Sequence, residues 1–176
     1  MVSTQTLSEP ERRVLARWAV RCAERVLPLF EAASADDRRI SEALARARAF
    51  GDGQSTAAAE IRLRMEPVKA ASEATTPAGA AAARAVAQAA AVAHMGAHAL
   101  GAAAYAVKAV TLAHPDRPDA RDDEVRWQLE QLDADARRAL RQLPPLGADS
   151  SGPLGPGLLS RGLLGEVICQ IQAAIA

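Results

Sequence analysis

The sequence predicts an all-α protein, and three features of its composition and patterning support that prediction. Alanine, the residue that most favours helices, occupies 43 of the 176 positions. Aromatic residues make up only 3% of the chain, and no alternating run of apolar and polar residues is bounded by hairpin turns. We therefore expect a single domain over residues 1–176, a bundle of about six to seven helices around a central Ala-rich helix or helix pair.

The first helix is predicted to begin at Ser8, after a segment over residues 1–7 that we expect to be disordered. Ser8 and Glu11 have the spacing of a capping box, in which each side chain accepts a hydrogen bond from the other residue's backbone. Apolar residues then recur every three or four positions as far as Phe30, which predicts one buried face. Pro28 cannot donate a backbone hydrogen bond, so it should bend the helix near its end.

Two shorter helices are predicted next. The second covers about residues 36–50, with Gly51 as the glycine that stops it. The third follows a cap at Ser55 or Thr56. Because proline lacks a backbone N–H, Pro67 should kink or divide this third helix.

The Ala-rich centre of the chain is predicted to form one long helix or a helix pair. Thr76 is a cap followed by Pro77 at the first helical position, and no strong breaker appears before His114. Gly96 and Gly101 each cost about 1 kcal/mol relative to Ala inside a helix. We expect a break or bend close to Gly96.

The last third of the chain is predicted to hold two helices, a loop and a C-terminal helix. Asp119 or Asp122 starts the first helix and Asp133 caps a short second one. The apolar positions here are Val125, Trp127, Leu129 and Leu132. Residues 144–157 are too rich in Gly, Pro and Ser for a helix and should form a surface loop. Residues 158–176 then return to helical spacing, as a helix packed back on the core.

Charge, hydropathy and cysteine usage narrow the classes of function. The 21 basic and 21 acidic side chains cancel, which argues against a nucleic-acid partner. The stretch over residues 85–107 lacks charged residues, but it is mostly alanine and contains two histidines, so we expect no membrane span. No signal peptide is apparent, so we expect a cytoplasmic protein, a monomer or homodimer, with Cys22 and Cys169 as buried thiols.

The most informative constellation is a polar stripe in the central Ala-rich segment. In a continuous helix the following residues project close to one line: His94, His98, Gly101, Tyr105, Lys108 and Leu112. The two imidazoles lack a third metal ligand, so we expect neither a metal nor a cofactor. Gly101 would leave room for a ligand. The stripe is either a small-molecule site formed by its two histidines, tyrosine and lysine, or a polar seam bonded to a second helix.

A second constellation is a ladder of four arginines on adjacent turns of the first helix: Arg13, Arg17, Arg21 and Arg25. Their guanidinium groups could bind an acidic protein surface. Three glutamates at helical spacing could instead neutralise them: Glu9, Glu11 and Glu24. The ladder is therefore either a partner-binding surface or a solvated, self-neutralising face.

Four segments of the chain resemble the immunity-five-like family of bacterial immunity proteins. They are residues 18–31 (WAVRCAERVLPLFE), 91–108 (AVAHMGAHALGAAAYAVK), 124–129 (EVRWQL) and 151–159 (SGPLGPGLL). The resemblance implies a helical protein that binds and neutralises a bacterial toxin. We expect such a toxin-binding protein, and enzymatic activity is the rival interpretation. The alternative is a small-molecule-binding protein or small helical biosynthetic enzyme that uses a pocket around the stripe, with His94 as acid or base.

Overall fold

The central element of the fold is a pair of antiparallel-packed Ala-rich helices against which the first helix lies. The computed structural model describes residues 3–34 and 36–176, and within them the chain forms nine helices and no strand. The helices are α1 Glu9–Glu31, α2 Arg39–Gly51, α3 Ala57–Arg62, α4 Glu66–Glu73, α5 Pro77–Ala91, α6 His98–Ala113, α7 Ala120–Glu130, α8 Ala134–Arg141 and α9 Gly162–Ile175. Helices α5 and α6 pack on each other, and both pack on α1.

Alanine forms most of the buried surface of α5 and α6. The all-α prediction is therefore confirmed. Of the two forms expected for the Ala-rich segment, the structure has the helix pair. The break expected close to Gly96 is also confirmed, because α5 ends at Ala91 and α6 begins at His98. A Cβ at Gly96 would lie 3.1 Å from Leu7 Cγ, so the N-terminal segment packs directly on this break.

Residues 3–7 differ from the expected disorder because they fill the gap between α5 and α6. The backbone N–H of Gly96 donates to Thr6 O, and that of Ala97 donates to Gln5 O, each at 3.0 Å. Gln5 itself is buried. A helix start leaves backbone N–H groups without partners, and the N-terminal segment supplies acceptors for two of them here.

The predicted caps account for four of the helix starts. Ser8 and Glu11 form both bonds of the capping box on α1. Thr56, Thr76 and Asp133 each accept from the backbone N–H three residues on, at the starts of α3, α5 and α8. α2 begins at Arg39, slightly later than predicted.

The helix count is nine instead of six to seven because two expected kinks are complete breaks. Pro67 lies at the start of α4 and divides the third predicted helix into α3 and α4. The gap at Gly96 divides the central segment in the same way. The C-terminal helix starts at Gly162 instead of residue 158, because the Ser160 hydroxyl bonds both the N–H and the carbonyl of Gly157 and holds a turn there.

The buried face of α7 differs from the predicted apolar one. Besides Val125, it consists of Ala120, Glu124 and Gln128, spaced four residues apart. Trp127 and Leu129 are only partly buried. Two polar side chains therefore occupy positions that the hydropathy pattern would assign to apolar ones.

The two cysteines lie in different environments. Both are free, Cys22 is buried and Cys169 is exposed, so the expectation of two buried thiols is wrong for Cys169. The inward face of α9 runs through Leu164, Val167, Ile168, Ile171 and Ile175, and Cys169 falls off this face. No helix among the described residues is long and apolar enough to cross a membrane.

Candidate functional site

The structure separates the residues of the predicted polar stripe. His94 is exposed in the connection between α5 and α6, and His98 is the first residue of α6. The helix is interrupted between them, so the straight projection that aligned His94 with the others does not apply. The two histidines line one groove, whereas Tyr105 and Lys108 do not line it.

His98 is half-buried and bonded to a side chain of α5. Its Nδ1 lies 2.8 Å from Gln88 Oε1. Because the amide oxygen only accepts hydrogen bonds, Nδ1 carries the proton and Nε2 is the acceptor. Burial, with a smaller contribution from the charge of His94, lowers the pKa of His98 from 6.5 to about 4. The imidazole is therefore neutral at pH 7.

The groove beside His98, which we call the histidine groove, has a volume of about 410 Å³. One wall is the α5–α6 connection with Met95, and the other is the loop over residues 152–159. Leu158 on this loop is 64% exposed. The groove is thus mainly apolar, with polar groups only from Gln88 and the two histidines.

Gly101 does not provide the ligand space that the sequence suggested. A Cβ on it would lie 2.9 Å from Gln88 Cδ and 3.0 Å from Leu159 Cδ1. Both side chains already cover this glycine. The structure therefore supports the polar-seam interpretation at Gly101, with Gln88 as the residue on the second helix.

Gln5 holds the loop that forms the outer wall of the histidine groove. Its Nε2 donates to Asp149 Oδ2 at 2.7 Å and to Ser151 O at 2.8 Å, and its Oε1 accepts from Leu154 N at 2.9 Å. The side chain lies against Gly152, whose φ of +78° is one that favours glycine. The N-terminal segment thus ties the loop to the α5–α6 break.

Tyr105 and Lys108 lie further along α6. Tyr105 is 3% exposed, and burial raises the pKa of its hydroxyl while the nearby Arg84 opposes that effect. Lys108 is half-buried. Neither side chain reaches the histidine groove, so the four titratable residues of the predicted site are not assembled in one place.

The arginine ladder is divided between two neighbouring helices. Arg13 and Arg17 donate to the carbonyls of Phe50 and Gly51, the last residues of α2. Arg13 also pairs with Glu9 at 2.6 Å and stacks over the Phe50 ring. Helix C-terminal carbonyls lack intrahelical partners and carry partial negative charge, so these two arginines stabilise the end of α2.

The other two arginines of the ladder face α7. Arg21 lies 3.5 Å from Gln131 O. Arg25 Nε donates to Glu124 Oε2 at 2.7 Å, and its guanidinium lies 4.3 Å from the centre of the Trp127 ring. The four guanidinium groups therefore do not form one free basic surface.

Glu124 belongs to a buried polar cluster that links three helices. Its side chain is 2% exposed, against 46% for Arg25. Gln128 Nε2 donates to Glu124 Oε1 and to Ala103 O, each at 3.2 Å, while Trp18 Nε1 donates to Gln128 O at 2.9 Å. Buried polar groups need such partners, and these bonds tie α1 and α6 to α7.

A second concave site opens beside this cluster, and we call it the α1–α7 pocket. Its volume is about 290 Å³. Its polar side chains are Arg25, His114, Arg117, Asp123 and Glu124. Asp123 accepts from Arg117 and from Arg126, at 3.1 and 3.0 Å. The pocket thus gathers five titratable side chains from three segments of the chain.

The sequence did not indicate this pocket because Arg25 and Glu124 lie far apart in the chain. No local pattern of residues predicts that they pair. The α7 signal was nevertheless available, because Ala120, Glu124, Gln128 and Leu132 recur at four-residue intervals and so share one face.

Among residues 3–34 and 36–176, no group of three or more His, Cys, Asp or Glu side chains is arranged to hold a metal ion. The side chains that line the two sites supply hydrogen-bond donors, hydrogen-bond acceptors and apolar surface.

The fold and the two sites define an all-α protein whose polar side chains meet in concave sites between helices. The chain belongs to the Imm-5 like putative immunity protein family, whose model matches residues 5–135, about three quarters of its length. No curated protein and no solved structure matches the chain. Every residue that lines the α1–α7 pocket falls inside the matched range, whereas the loop wall of the histidine groove falls outside it.

Proposed function

We propose that this protein neutralises a bacterial toxin by binding to it directly. Membership of the immunity protein family is the observation that carries the proposal. The zero net charge agrees with a protein partner better than with nucleic acid. A protein that acts by occlusion needs an exposed surface of suitable chemistry and no reaction centre.

The surface that we assign to the toxin is the connection between α3 and α4, residues 62–65. Leu63 is 44% exposed and Met65 is 51% exposed, and the two arginines beside them, Arg62 and Arg64, are exposed as well. Within the part of the chain that the structure describes, neither arginine pairs with a carboxylate. Methionine and arginine are enriched in protein interfaces. The complementary surface on the toxin would be an apolar patch bordered by acidic side chains.

Co-expression of the chain with a protein that is encoded by a neighbouring gene and is toxic to bacteria when made alone tests the proposal. We expect the chain to restore growth of bacteria that make the toxin and to co-elute with it as a stable complex. Replacing both apolar residues, in Leu63→Asp/Met65→Asp, should weaken the complex by at least about 100-fold, because buried apolar anchors dominate interfaces. Leu112→Asp is the matched control, since Leu112 is 41% exposed elsewhere on the surface.

Two results would contradict the proposal or its surface. Failure of the unaltered chain to rescue growth or form a complex would overturn toxin neutralisation. If Leu63→Asp/Met65→Asp rescues growth as well as the Leu112→Asp control does, toxin binding stands and the assignment of the surface is wrong.

We infer that the histidine groove is suited to binding and not to acid–base catalysis, which disfavours the enzymatic alternative. His94, the acid or base of that alternative, is exposed to water. A general base works best with a pKa near the working pH, and His98 beside it has a pKa of about 4. The site also lacks Tyr105 and Lys108. The groove volume of about 410 Å³ leaves small-molecule binding as a second candidate function, and calorimetry of small apolar ligands against the protein and His98→Ala tests it.

A further inference from the structure

The α1–α7 pocket carries an inference that goes beyond toxin binding. We propose that this pocket binds a small monocarboxylate with a short apolar chain. The pocket combines unused hydrogen-bond donors, carboxylates that already have partners, and an apolar wall. The chain alone is enough to test it, so its failure would leave the proposed toxin binding untouched.

The donors of the pocket have unused capacity. Among the described residues Arg25 donates only through Nε, to Glu124, so both of its terminal Nη groups are available. Arg117 uses one Nη atom on Asp123 and its Nε lies 3.7 Å from Asp119 Oδ1, which leaves its second Nη atom. His114 ends α6 and is exposed, and an imidazole has an N–H donor in either tautomer. Three side chains can therefore donate to one ligand.

Each oxygen of the two carboxylates of the pocket already accepts one hydrogen bond. Glu124 accepts from Arg25 through one oxygen and from Gln128 through the other. Asp123 accepts from Arg117 and Arg126. Donors remain in excess of acceptors, so the complementary ligand is one that supplies acceptor oxygens, and a carboxylate matches the planar guanidinium best.

Arg25 is held in place before any ligand arrives. Its guanidinium lies over the Trp127 ring at 4.3 Å, and its Nε is bonded to a glutamate that is 2% exposed. Fixing a guanidinium in this way lowers the entropy that binding must otherwise cost. The remaining Nη groups therefore form a preorganised edge for two oxygens.

The charges and the lining of the pocket favour a single carboxylate with an apolar chain. Arg25 and Arg117 pair with Glu124, Asp123 and Asp119, so the pocket has no net positive charge, hydrogen bonds must hold the ligand, and each further negative charge on it would weaken binding. The lining also includes the apolar side chains of Val26, Leu29 and Val110. The volume of about 290 Å³ lies near the lower end of the range for small-molecule sites, roughly 300–1,000 Å³.

Nuclear magnetic resonance titration of the full chain with hexanoate tests the proposal, with acetate and inorganic phosphate as comparison probes. We expect hexanoate to shift backbone amides at the start of α7 in a saturable way by about 50 mM. Acetate should bind at least about tenfold more weakly, because it lacks the chain that covers the apolar wall. Phosphate should bind more weakly than hexanoate.

Arg117→Ala and Arg126→Ala form a matched pair of variants, because each removes one arginine from Asp123 while only Arg117 lines the pocket. We expect Arg117→Ala to weaken hexanoate binding about tenfold. Arg126→Ala removes the same charge without removing a donor of the pocket, so it should weaken binding less than about twofold. Both side chains are exposed, so both variants should fold. The proposal is overturned if hexanoate gives no saturable shift, if phosphate or acetate binds as well, or if the two variants respond equally.

Discussion

The two concave sites of this protein are built in opposite ways. The histidine groove lies between a helix break and the loop over residues 152–159, which exposes Leu158. The α1–α7 pocket lies between helices and is bordered by an ion pair, Arg25 with Glu124, of which the glutamate is buried. The groove has the larger volume, and the pocket has the larger number of charged side chains.

The difference shows that a run of titratable residues along the chain need not become a site. In the groove, His98 is neutral and its Nδ1 is already bonded to Gln88. In the pocket, residues from α1, α6 and α7 meet with donor groups to spare. Arg25, held by the buried Glu124, is a preorganised donor, and such a donor binds a ligand at a lower entropic cost than a mobile one.

The largest effect should come from breaking the ion pair of the pocket. Arg25→Ala leaves Glu124 buried without its cation and removes the stack on Trp127. Because Arg25 is itself 46% exposed, we expect the free energy of unfolding to fall by about 2–3 kcal/mol, below the value for a fully buried pair. Chemical denaturation measures the loss.

Two variants control this prediction. Arg126→Ala removes an exposed arginine from α7, the helix that carries Glu124, and should cost less than about 0.5 kcal/mol. Adding Glu124→Gln to Arg25→Ala should recover part of the loss, because no unpaired charge then remains. Equal stability of Arg25→Ala and Arg126→Ala would contradict the structural role given to the pair.

The next effect concerns the close packing beside the groove. Gly101→Leu should lower the free energy of unfolding by about 2 kcal/mol, since its side chain would overlap Gln88 and Leu159. Gly157→Ala is the control, because no atom lies within 4 Å of an added Cβ there. Thermal denaturation compares the two, and an unchanged melting temperature for Gly101→Leu would show that the space is empty.

Much of the fold could be predicted from the sequence because caps and breakers act locally. Ser8, Thr56, Thr76 and Asp133 each satisfy a backbone N–H within their own helix start, so their positions alone indicate where helices begin. Pro67 removes a donor and divides a helix for an equally local reason. Such effects need no knowledge of the tertiary structure.

The sites were harder to predict because they depend on contacts between distant segments. The projection that aligned His94 with His98 assumed a continuous helix, and it failed where the gap near Gly96 separates α5 from α6. The pairing of Arg25 with Glu124 across 99 positions has no local signature. The bond of Gln5 to the loop at residues 149–154 spans almost the whole chain.

A smaller effect is expected from the pH dependence of His98. Its pKa is about 4 in the folded protein and 6.5 ordinarily, so below pH 6.5 the unfolded chain binds a proton that the folded chain does not. The free energy of unfolding should therefore fall as pH falls from 6.5 to 4. Because the side chain is partly exposed, we expect a loss of about 1–2 kcal/mol.

The contribution of His98 is isolated by comparison with His98→Gln, which has no titratable group there. Denaturation at several pH values should show a steeper loss of stability in the unaltered protein than in the variant. Parallel curves between pH 6.5 and 4 would mean that His98 titrates normally.

The smallest effect should come from the loop wall of the groove. Leu158→Ser changes a side chain that is 64% exposed, so the free energy of unfolding should change by less than about 0.5 kcal/mol. Calorimetric melting checks this. A loss comparable to that of Gly101→Leu would show that the loop wall is packed as firmly as the helices.

A crystal structure of the protein with hexanoate tests most directly the claim that the α1–α7 pocket, and not the larger histidine groove, is preorganised for a ligand. We predict the carboxylate within hydrogen-bond distance of the Arg25 Nη groups, with the alkyl chain against Val110 and Leu29. A hexanoate molecule bound only in the groove beside His98, or an α1–α7 pocket that holds none, would contradict the account.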